Sequence, residues 1–128
     1  MNSAAWQEGF VRLVFIAVSA IHLLPASGLL GQRVLERAYG VVLSSPDLVV
    51  LMQHRALMFA LLGVASGLAA WQPAWRLPVG LAALVSMAGF VLIAWAMPHG
   101  VAIQRVVWVD AALLPLLLVA MAWVWRSA

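Results

Sequence analysis

Three consecutive polar residues, Gln53-His54-Arg55, lie near the start of a run that is otherwise apolar as far as Trp71. His22, His99, Arg105 and Asp110 are further groups of this kind inside or beside long apolar stretches. An imidazole titrates near neutral pH and a guanidinium stays charged. With a carboxylate to orient the ring, they suffice for proton transfer at a carbonyl or enol, or for holding a quinone head group. In that chemistry His54 or His22 is the acid/base, Asp110 its orienting partner, and Arg55 the contact to an oxyanion or head group. Gln53, Tyr39, Glu36 and Arg105 complete the expected binding surface. Neutral imidazoles on facing helices also serve as axial ligands, so a b-type haem between His22 and His54 is a second expectation. A third is structural: Arg55, Asp110, Gln53 and a histidine form a polar clasp that holds helices in register and encloses no pocket. Such bonds in membranes are worth about 1 kcal/mol each.

No fixed-spacing motif selects among these. There is no His-x-x-x-Glu pair, no nucleophile elbow and no paired-carboxylate signature. The absence of cysteine excludes disulfides and thiolate chemistry. With three histidines and so few acids, no metal site is expected.

The elements that must carry these groups follow from composition. The chain of 128 residues is 66% hydrophobic and 9% charged, with a mean hydropathy of +1.08. Soluble domains carry roughly a quarter charged residues. Apolar runs reach the roughly 20 residues needed to cross a bilayer. The fold class is therefore all-α: a single-domain, polytopic membrane four-helix bundle, up-down-up-down. The net charge of +3 comes from seven arginines against four acids, dispersed with no basic run, so no nucleic-acid partner is expected. The first residues contain Glu8 and no positive n-region, so the first apolar run is expected to remain as a span.

The predicted spans are residues 10–30, 46–71, 78–97 and 104–125. Pro25 loosens the end of the first. Residues 31–43 are too polar to span. Leu35, Ala38, Tyr39 and Val42 fall on one side of a helix there, with Gln32, Arg33, Glu36 and Arg37 on the other. They read as a short interfacial amphipathic helix, which Gly40 could end early. Ser45 is the expected N-cap of span two, with Pro46 at the first position and Asp47 in the first turn. Residues 72–77 read as a tight turn. At 1.5 Å per residue, His54 and Arg55 lie ~12–14 Å inside span two. Gly63 and Gly67 suit close approach by another helix, as in a homo-oligomer or larger membrane complex.

Four spans bring the end of the first, the start of the second, the end of the third and the start of the fourth to one face. All three histidines and three of the four acids gather there. Across that layer an Arg55–Asp110 pair is expected, since either charge alone is costly in a low dielectric. The terminal face carries Trp6, Trp71, Trp75, Trp123 and Trp125 as an aromatic belt. With Arg76 and Arg126 read as unpaired there, both termini are placed in the cytoplasm of a bacterial-type inner membrane.

The layout resembles the DoxX-like group of small four-helix membrane proteins. The likeness rests on the amphipathic segment with Tyr39-Gly40, on Pro46-Asp47, on Arg55 early in span two, and on Gly63 and Gly67 beyond. It covers roughly Gln32 to Trp71 plus the span pattern. The resemblance implies the fold and an accessory role beside membrane oxidoreductases or quinones. His54 and the three-histidine layer have no counterpart in it. The expected function is a membrane accessory or small-lipophile-binding protein, with quinone as a candidate ligand. A membrane enzyme doing acid/base or redox-linked chemistry is the alternative.

Overall fold

A computed structural model describes residues 3–127. Among these there are helices and no strands: α1 (Ser3–Leu23), a 3₁₀ segment (Pro25–Leu30), α2 (Gln32–Tyr39), α3 (Pro46–Trp71), α4 (Pro73–Ala96) and α5 (Val101–Ser127). The stretches Ser3–Leu30, Pro46–Trp71, Pro73–Ala96 and Val101–Ser127 are each long and apolar enough to cross a membrane.

Local chemistry sets the boundaries. Ser45 Oγ accepts from Leu48 N at 3.3 Å and Pro46 opens α3, as its sequence predicts. Pro25 cannot continue α1, and the chain tightens into the 3₁₀ segment there. Gly40, at φ 63°, takes the left-handed cap that ends α2 at Tyr39, four residues short of the expected 43. The turn expected over residues 72–77 shrinks to Gln72. Pro73 stands at the first helical position, where a missing N–H costs nothing, so α4 begins five residues before Pro78. The described α1 likewise begins at Ser3 rather than residue 10, and α5 at Val101 rather than 104.

Contacts run from α1 to α3, α3 to α4, α4 to α5 and α5 back to α1, so α3 and α5 occupy one diagonal. The core between them includes Phe15, Val18, Met87 and Leu117. α1 and α3 approach closely, and there Ser19 Oγ donates to Gly63 O at 2.7 Å. A Cβ on Gly63 would come within 2.8 Å of the Leu23 side chain, and one on Gly67 within 3.1 Å of Ser19 Oγ. Gly63 and Gly67 thus pack against the chain's own α1. Outward-facing leucines, valines and tryptophans cover the outside, among them Leu13, Leu61, Val85, Leu92 and Leu118.

Candidate functional site

The polar layer separates into two parts. In the first, the Arg55 guanidinium lies against three aromatic rings: Phe59 at 4.8 Å, Tyr39 at 5.1 Å and Phe90 at 5.9 Å. Phe59 is one turn along α3, Tyr39 ends α2 and Phe90 comes from α4, so one cation ties three elements. Its attraction to each ring's negative face grows as water is withdrawn. His22 belongs to the same part. It is 3% exposed, its ring sits 5.7 Å from that of Phe59, and Nδ1 is 2.8 Å from Val18 O. A carbonyl only accepts, so Nδ1 carries the proton and Nε2 keeps its lone pair.

The second part is open. Asp110 on α5 is 8% exposed, yet it makes no hydrogen bond and no ion pair within 4.0 Å among the described residues. It lines a cavity of about 250 Å³ with Arg105, Tyr39, Ala38, Ile21, Leu24, Pro25, Val106 and Val109. Arg55 is the charge that acts on it. The expected Arg55–Asp110 ion pair is not formed. α3 and α5 lie across the diagonal of the four long helices, and the Arg55 guanidinium is set against rings of α2, α3 and α4.

The remaining expected residues are dispersed. His54, 100° round the helix from Arg55, is exposed on the outside of α3. It is not among the cavity-lining residues, and neither are Gln53, His22 and Arg55. The ring that faces His22 is that of Phe59, so His22 and His54 do not form the facing pair a bis-histidine haem needs.

Glu36 closes the link between α2 and α3. Its Oε1 accepts from Gln32 Nε2 and from Leu43 N, both at 2.9 Å, while Gln32 also donates to Leu43 O at 3.0 Å. These donors hold the Glu36 carboxyl below the usual carboxylate range. His99, exposed between α4 and α5, contacts Met97 O at 2.9 Å and Gln104 Oε1 at 2.8 Å. Both partners favour the protonated ring and raise its pKa above the ordinary 6.5.

The opposite end holds a polar cluster that the sequence reading did not foresee. Arg76, 6% exposed, reaches Glu8 through both Nη1 and Nη2 at 2.7 Å, and donates to Ala69 O and Ala70 O at 3.1 Å. It thereby satisfies carbonyls that the C-terminus of α3 leaves without partners. Glu8 also meets Arg12 at 2.7 Å. Arg76 is therefore paired, contrary to expectation. The signal was available: Glu8 is the one acid assigned to that face, and an acid there needs a cation. Trp6, Phe10 and Trp123 pack ring against ring beside it.

In comparisons with protein-family models, characterised proteins and solved structures, nothing matches this chain.

Proposed function

We propose that the chain is a multi-pass integral membrane protein that binds a small lipophile in the cavity beside Asp110. Its four long helices alternate in direction as an up-down-up-down bundle, with α2 at the interface. The four apolar helices and the large hydrophobic side chains over the outside support this reading. The rings of Trp6 and Trp123 are 5.4 Å apart, which favours both termini on one side.

The observation that carries the binding role is Asp110, a largely buried residue whose carboxylate opens to the cavity and accepts no hydrogen bond among the described residues, where the other walls are apolar except for Arg105 and Tyr39. Drug-sized pockets run from about 300 Å³ upward. A cavity of about 250 Å³ therefore suits one head group, with the tail leaving through the open side. An amphiphile of the quinone and quinol size class fits that volume. An accessory role beside a membrane oxidoreductase, as the DoxX-like layout implies, is the corresponding biological setting.

Native mass spectrometry of the protein released from lipid nanodiscs tests the role. A lipophile should remain bound to wild type and be lost from Ala38→Phe or Val106→Phe, which fill the cavity. Retention of the same mass by both variants would place the ligand elsewhere. The structural reading keeps a share of the layer: Arg55 among its rings and His22 on Val18 act as the clasp, which meets the cavity wall at Tyr39.

A further inference from the structure

We infer that the cavity selects a neutral head group bearing a hydroxyl, a phenol, quinol or alcohol, over the corresponding carbonyl or ether. This deepens the lipophile-binding reading and rests on it. Asp110 is more than nine-tenths buried, lines the cavity, and receives no hydrogen bond from the protein among the described residues. A carboxylate in that setting accepts and cannot donate, so a ligand must bring the donor. Arg105, on the same wall, only donates. A hydroxyl supplies the hydrogen bond that Asp110 lacks, and its oxygen keeps a lone pair for a donor such as Arg105. A quinone or ketone oxygen could satisfy Arg105 but would leave Asp110 buried without a partner, and that is costly.

Charge narrows the class further. A protonated amine would meet Arg105 in the cavity wall, with Arg55 also acting on that region. An anionic head would be pressed against Asp110. A neutral hydroxyl avoids both. Rings lie over Arg55, and it is not among the residues that line this cavity.

The test compares 4-hexylphenol with 4-hexylanisole, which differ by one methyl on the oxygen, as ligands of the full chain in nanodiscs. Wild type should bind the phenol at least about tenfold more tightly, since a site built around a hydroxyl penalises the analogue without one. In Asp110→Leu the two affinities should converge, with retained anisole binding showing that the variant is folded. Equal binding of both probes by wild type would overturn the hydroxyl preference and leave the lipophile site standing. A preference that persists in Asp110→Leu would overturn the role of Asp110. Binding of neither probe by wild type would overturn both readings.

Discussion

At one end of the bundle Arg76 gives its guanidinium to a carboxylate and two carbonyls, while at the other Arg55 gives its to three rings and Asp110 accepts no hydrogen bond among the described residues. Both arginines are drawn into an apolar surrounding, and each finds a different substitute for water. Around Arg76 every strong partner is protein, so nothing is left for a ligand to do. Around Arg55 the cation is stabilised without using up the nearby acid. That asymmetry separates an end whose polar groups are paired with one another from an end where a carboxylate opens to a cavity.

The comparison breaks most readily at Arg76. Arg76→Met removes the bonds to Glu8, Ala69 and Ala70 together. Breaking a buried pair costs about 3–5 kcal/mol, but the Glu8 side chain is 39% exposed and water can take over part of its solvation. A loss of about 2–3 kcal/mol is expected by reversible unfolding in micelles. Arg55→Met should cost less, about 1–2 kcal/mol, because the rings stay packed and only the cation–π attraction goes. Phenol binding should survive that change, and its loss would move Arg55 from the clasp into the cavity. Asp110→Asn should change stability by no more than about 0.5 kcal/mol, or raise it, since no protein partner is deprived. A loss comparable to that of Arg76→Met would mean that Asp110 is structural and the two ends are alike.

The smallest effect is expected at the exposed link between α4 and α5. Because the His99 pKa is raised in the folded chain, its contribution is present below the ordinary 6.5 and fades as pH rises through the raised value. An NMR titration of His99 should therefore have a midpoint above 6.5, which Gln104→Ala moves back down. An unchanged midpoint in Gln104→Ala would remove that contact from the account.

Much of the fold was legible because its signals are local. Ser45-Pro46-Asp47 announces the start of α3, Gly40 ends α2, and the apolar runs give four long helices. Proline misled where two compete: Pro78 looked like a helix start, but Pro73 had already supplied one. The gathering of Tyr39, Arg105 and Asp110 was also legible, because short links bring their segments to one end. Their individual partners were not. Choosing rings over Asp110 for Arg55 depends on which helices are diagonal, and no spacing within one helix reports that. Phe59, four residues from Arg55, was the one visible hint. His54 shows the converse limit, since adjacency to Arg55 in sequence carries it to a different face.

The single-residue link at Gln72 has a consequence for the order in which the protein can be completed during synthesis. Glu8 emerges early, and Arg76 follows the last carbonyls of α3 by six or seven residues. The ion pair and its carbonyl bonds therefore use only residues that precede α5 in the chain. The cavity has no such early closure. Its wall waits for Arg105 and Asp110, so a nascent chain can form its fastening before its cavity.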